Sequence, residues 1–241
     1  MILTEDCQRQ LDSILKLINT DQVINYNFPD IKKGFSYLYV INYLSKRVEL
    51  KRFFNTTYYH VSYSCLIEAF HLILENYPRG SALVLRSGLE NFLKHTIEIS
   101  GEGNYKINDR SYTANMNTLE KIINKEVQEK YRKLFRRTNA QMFTVYRKLS
   151  GLSHSLTNES KSNILRYFTD VKMINKQNID FVIEKLVATL EYLLICSLLI
   201  SRSSLEKWVR DNLNEILRVA FGQKRTEKFL QLFSLYTPIK V

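Results

Sequence analysis

The sequence predicts an all-α protein: an up-and-down bundle of about four core helices, with extra helices at both ends. Three observations carry this prediction. Glycine and proline are scarce, with 7 and 3 residues in a chain of 241, so few tight turns are available and long helices are the natural element. Apolar residues recur at three- and four-residue spacing in segment after segment. No stretch shows sustained alternation with period two, and no internal repeat or low-complexity linker interrupts the pattern.

The elements follow in order. Residues 1–19 space Leu11, Ile14, Leu15 and Ile18 along one face of an amphipathic helix. Residues 25–34, containing Pro29 and Gly34, read as a loop. An aromatic helix then starts at Phe35 and becomes charged over residues 46–52. Residues 58–77 confine polarity to one stripe, His60, Ser64, Glu68, His71 and Glu75. A helix so apolar around the rest of its circumference is expected at the centre of the bundle. Pro78-Arg79-Gly80 reads as the break before a helix over about 81–100, capped by Ser81 and stopped near Gly101. The two would form an antiparallel hairpin. A polar loop leads to a helix opened by Asn117 or Thr118, reaching about Arg137. Thr138 or Asn139 would cap a second, short helix ending near Ser150 and Gly151. Residues 152–176 are irregular. A strongly apolar helix covers 178–200, another runs from Ser203 or Ser204 to Ala220, and Gly222 precedes a short last helix over 226–235.

The net charge of +11 favours polyanions through long-range attraction. It is clustered: residues 130–148 hold Lys130, Arg132, Lys133, Arg136, Arg137, Arg147 and Lys148 and no acid. Tyr131, Phe135, Phe143 and Tyr146 interleave with them. Cations grip a phosphate backbone while rings take unstacked bases, which suits single-stranded RNA. The plainer alternative is a solvated helix face whose rings point into the core. Three separated cysteines, Cys7, Cys65 and Cys196, match no zinc spacing and fit a reduced, cytoplasmic protein. The N-terminus lacks the features of a signal peptide, and residues 186–200 are too short to span a bilayer, so no membrane association is expected.

One stretch combines a fixed cation with a proton-transfer group. Arg147 and His154 stand seven residues apart, two turns if the helix persists, within about 20° of each other. A histidine titrates near neutral pH and suits general acid–base work. An arginine holds a phosphate and stabilises charge added to it. The alternative is a solvated histidine beyond a helix that Gly151 ends. On the earlier helix Arg86, Glu90 and Lys94 form a charged ridge at four-residue spacing. Arg86 projects close to the apolar face and therefore needs an acceptor. His71 and Glu75 alone make a poor metal site. No metal or cofactor is expected, and no phosphate loop or nucleophile motif is present.

These residues resemble the HEPN-domain proteins of bacterial phage-defence and toxin–antitoxin loci. The resemblance lies in "ALVLRSGLENFLKH" and "YRKLSGLSHS", about sixty residues apart and in that order. Arg147 and His154 correspond to the family's arginine and histidine, separated by four to six residues, and Glu90 and Lys94 to its glutamate followed by a base. The resemblance covers residues 58–200. It implies a HEPN-like bundle there; residues 1–57, read above as a helical extension, and residues 201–241, read as C-terminal helices packing on the core, lie outside it. It also implies a metal-independent endoribonuclease, an RNA-cleaving toxin or effector of antiviral defence and abortive infection. His154 would act as acid and base, Arg147 would hold the phosphate, and Glu90, Lys94 and Arg86 would support them. Lys130, Arg132, Lys133, Arg136, Arg137, Lys148 and Tyr146 would bind RNA. A homodimer and a neutralising or activating protein partner are further implications. The alternatives are a non-catalytic helical subunit that binds nucleic acid or scaffolds a defence complex, and a nucleotide-binding module without cleavage.

Overall fold

The computed structural model describes residues 2–18, 21–153, 170 and 176–233. Among them every regular element is helical. The order is α1 (Ile2–Leu15), α2 (Asp21–Lys46), a 3₁₀ helix (Val48–Phe53), α3 (Thr57–Leu74), α4 (Pro78–Ser100), α5 (Tyr112–Glu126), α6 (Glu129–Ser153), α7 (Lys176–Ile200), α8 (Arg202–Leu205) and α9 (Arg210–Phe233). Their buried residues merge into one hydrophobic core, from Cys7 to Phe233.

The helix at the centre is α7, not α3. Ile179, Val182, Leu186, Leu190 and Leu193 are buried on one side of α7, and Val187, Ile195, Leu198 and Leu199 on others. It packs against α2, α3, α4 and α6. Although α3 is as apolar in sequence, it packs chiefly on α4 and leaves Val61 41% and Ile67 49% exposed. Its small residues decide this. Ser62 donates to the Gly88 carbonyl at 2.8 Å, and a Cβ on Gly88 would stand 3.4 Å from Cys65. That close approach commits one face of α3 to α4.

The turn between them lies at residues 75–77, ahead of the expected break. Asn76 has φ 63°, its N–H donates to Ile73 and that of Tyr77 to Leu72, which is a Schellman closure. Pro78 opens α4 as its first residue, where its missing N–H costs nothing. Ser81, expected as the cap, is instead buried and donates to Ala69 of α3 at 2.7 Å.

Several further expectations are corrected. Residues 25–34 are not a loop: α2 runs through Pro29. Val23, Asn27, Ile31, Phe35 and Leu38 form one buried face across the proline, and tertiary burial outweighs the one lost backbone bond. The helix break expected at Thr138 falls at residues 127–128, because Tyr131, Phe135, Thr138, Met142, Val145, Leu149 and Leu152 form one continuous buried seam. Thr138 lies within that seam with its hydroxyl bonded to the Leu134 carbonyl. Gly151, expected to end the helix, lies inside α6. Helix α5 opens at Ser111, whose hydroxyl accepts from the Ala114 N–H, several residues before Asn117. In the C-terminal part the helix expected from Ser203 or Ser204 to Ala220 is broken after the four-residue α8, and in place of a separate short helix from 226, α9 continues to Phe233 through a bend at Gly222 (φ 67°, ψ 176°).

Candidate nucleic-acid site on helices 4 and 6

The hairpin of α3 and α4 presents Arg86 and Glu90 toward α6. Arg86 Nε donates to Glu90 Oε1 at 3.1 Å, and its terminal nitrogen to the Tyr146 hydroxyl at 3.2 Å. That hydroxyl donates to Glu90 Oε1 at 3.1 Å, closing a three-membered cluster. The acceptor that Arg86 needed is therefore both local and distant. Its side chain is 24% exposed, so the pair is only partly withdrawn from water. Arg86 also lies 5.2 Å from the centre of the Tyr146 ring.

The Tyr146 ring is held from behind by α5. It stacks on Tyr112 with centroids 3.7 Å apart and planes within 3°. Phe143 lies parallel to Tyr112 at 6.2 Å, and the Arg147 guanidinium sits 6.0 Å from the Phe143 centroid. Burial, and then Tyr146, Cys196 and Glu90 nearby, push the Tyr112 phenol far above its ordinary range, so it stays neutral. Arg147 is thus joined to the Arg86–Glu90 cluster through a row of rings. Among the described residues no hydrogen bond or ion pair joins Glu90 to Arg147 or Lys94. Lys94 turns to the other side, pairs with Asp109 at 3.4 Å and lies 5.4 Å from the Tyr58 ring centre. His154 lies outside the described residues. Helix α6 runs to Ser153, the residue before it.

The acid-free run on α6 is partly neutralised by other elements. Lys130 pairs with Glu206 just past α8, Arg136 with Glu120 and Asn124 of α5, and Arg132 donates to the Val127 carbonyl. Tyr131 and Phe135 are fully buried, and Tyr146 has one face on Tyr112, so the interleaved rings serve mainly the core. Lys133, Arg137, Arg147 and Lys148 are exposed and have no ion pair among the described residues. By helical geometry they fall within an arc of about 100° and span about 22 Å of α6. That is an unneutralised cationic stripe leading to the end of the helix, suited to successive phosphates of one strand.

No group of three His, Cys, Asp or Glu side chains converges on a metal position among the described residues, and no described helix is long and apolar enough to cross a membrane. Sequence reasoning missed Tyr112, Asp109 and Tyr58, each placed by tertiary contact alone. It also missed a basic cleft between α6, α7 and α9, whose cations come from segments far apart in the chain. Comparison with protein-family models, with curated proteins and with solved structures gives no match.

Proposed function

We propose that this chain is a metal-independent endoribonuclease of the HEPN type, acting in anti-phage defence or a toxin–antitoxin system. The observation that carries the proposal is the exposed stripe Lys133, Arg137, Arg147 and Lys148 on one face of α6, without an ion pair among the described residues and ending six residues before His154 in the sequence. The stripe holds the RNA backbone. The 2′-OH attacks the adjacent phosphorus, His154 accepts its proton, and the P–O5′ bond breaks. The leaving oxygen takes a proton, giving a 2′,3′-cyclic phosphate and a 5′-OH. Arg147 neutralises the charge that builds on the phosphoryl oxygens. The Arg86–Glu90–Tyr146 cluster fixes α4 against α6 and so sets where Arg147 stands. Val61 and Ile67 on α3 and Leu83 on α4, all exposed, are the apolar surface that a second subunit would cover.

The test is cleavage of total RNA by the purified protein in EDTA. Wild type is expected to cut, and Arg147→Ala and His154→Ala each to lose cutting by at least about a hundredfold. Cutting that survives in both variants would overturn the assignment. The second reading, a non-catalytic nucleic-acid-binding or scaffold subunit, is favoured by one observation. Arg86, Glu90 and Tyr146 are hydrogen-bonded to one another, an arrangement that suits a structural tie between α4 and α6. RNA binding by wild type with no cleavage product would select it.

A further inference from the structure

A second cleft lies away from the Arg86–Glu90–Tyr146 cluster, between α6, α7 and α9, with a volume of about 590 Å³. That volume is within the range of small-molecule sites. Its wall is built on Glu191 of α7. The carboxylate accepts from the Tyr37 hydroxyl at 3.0 Å and from Arg225 at 2.5 Å. Burial works against the Glu191 charge, but Arg225 and Tyr37 more than offset it and hold its pKa below the usual carboxylate range. The acid is therefore fully engaged by its own partners. Arg225 is also packed 4.8 Å from the Phe221 ring centre, so its guanidinium is held by Glu191 and an aromatic ring where it lines the cleft. Its side chain remains 40% exposed.

Around that plane stand three further cations. Lys224 and Lys228 come from the turn of α9 that bears Arg225, and Arg137 comes from α6. All three are exposed and none has an acidic partner among the described residues. Like charges facing one concave surface repel one another and favour an anion between them. A fixed guanidinium plane favours a flat aromatic ring stacked upon it. A ligand with an anionic group and a planar base on one skeleton satisfies both.

We propose that this cleft binds a nucleoside phosphate, its phosphate held by Lys224, Lys228 and Arg137 and its base stacked on Arg225. The site does not depend on the ribonuclease reading, since it requires neither His154 nor any cleavage. The same chemistry has two sources: a free nucleotide, or one unit of an RNA strand that enters from the stripe on α6, to which Arg137 also belongs.

Calorimetric titration of the full chain with 5′-AMP and with ribose 5-phosphate tests the proposal. Saturable binding of AMP is expected, about tenfold tighter than that of ribose 5-phosphate, which lacks the base. The double variant Lys224→Ala, Lys228→Ala is expected to weaken AMP binding at least about tenfold. Both lysines are exposed, so it should melt as wild type does. Arg147→Ala is expected to leave AMP affinity unchanged, separating this cleft from the proposed cleavage site. A 5′-phosphorylated tetra-adenylate with 2′-O-methyl riboses, which cannot be cut, distinguishes the sources. Displacement of AMP by it identifies a strand subsite, and AMP binding without displacement a free-nucleotide site. Absence of saturable AMP binding, equal affinity for ribose 5-phosphate, or unchanged affinity in the double variant would each overturn the proposal. Cleavage of total RNA is read separately, so either conclusion can fail alone.

Discussion

His95 is the most completely enclosed ionisable side chain of α4. It faces Phe54, Tyr59 and Phe92, and its Nδ1 shares a hydrogen bond with the Thr56 hydroxyl at 2.9 Å. Burial, with a smaller contribution from His60, lowers its pKa from 6.5 to about 3. The folded protein therefore holds it neutral, whereas the unfolded chain protonates it below pH 6.5. Between those values the unfolded state binds the extra proton, so stability falls as the pH falls. From this residue the slope approaches about 1.4 kcal/mol per pH unit. Urea unfolding between pH 6 and pH 4 should show that His95→Phe has a shallower loss of stability than wild type. Parallel curves for the two proteins would refute a buried, neutral His95. The sequence shows His95 next to Lys94 and marks nothing unusual, since Phe54 and Tyr59 reach it from α3 and the chain before it. At the same scale, the Glu90 partner of Arg86 was legible because four residues is one helical turn. The Tyr146 partner, 56 residues from Glu90, was not.

At the scale of elements, α6 and α9 carry the proposed binding surfaces, and each turns on one local feature. Along α6 the buried seam advances by alternating steps of four and three residues from Tyr131 to Leu152. That pattern is present in the sequence, but Thr138 occupies one of its positions, and a threonine there imitates a cap. Its hydroxyl is satisfied inside the helix by the Leu134 carbonyl, so the helix continues and carries Arg137 and Arg147 on one rigid rod. On α9 the direction of Lys224, Arg225 and Lys228 is set by Gly222. Its φ of 67° with ψ of 176° belongs to a region that residues with a Cβ enter only at a cost of about 1–3 kcal/mol. No atom lies within 4 Å of where that Cβ would stand, so crowding plays no part. Gly222→Ala is accordingly expected to lose about 1–3 kcal/mol in chemical unfolding. A variant as stable as wild type would mean that the bend does not require glycine.

Across the whole molecule, the excess positive charge is distributed unequally. Lys130, Arg136 and Arg225 are matched by acids from other elements and Arg210 by Glu227 within α9, while among the described residues Lys133, Arg137 and Lys148 on α6 and Lys224 and Lys228 on α9 have no acidic partner. Binding of single-stranded RNA should therefore weaken steeply with salt. Removing one stripe cation by Lys133→Ala is expected to reduce the slope of log affinity against log salt by about 0.7. Lys130→Ala, which breaks an existing pair with Glu206, should change it less. Equal slopes for wild type and Lys133→Ala would place the RNA elsewhere.

Legible in the sequence were the helical class, the apolar face of nearly every helix, the interruption of helical geometry at Gly222 and the local Arg86–Glu90 pair. All of these depend on spacing within one helix or on one backbone angle. Tertiary structure decided which helix is central, because α3 and α7 are both apolar and only the close contact at Gly88 commits α3 to α4. It decided that Pro29 stays within a helix, because the face buried on either side of it outweighs one lost hydrogen bond. It also decided which cations remain unpaired. That depends on where Glu120, Glu191 and Glu206 arrive, and their positions relative to α6 and α9 follow from packing between helices rather than from periodicity along any one of them.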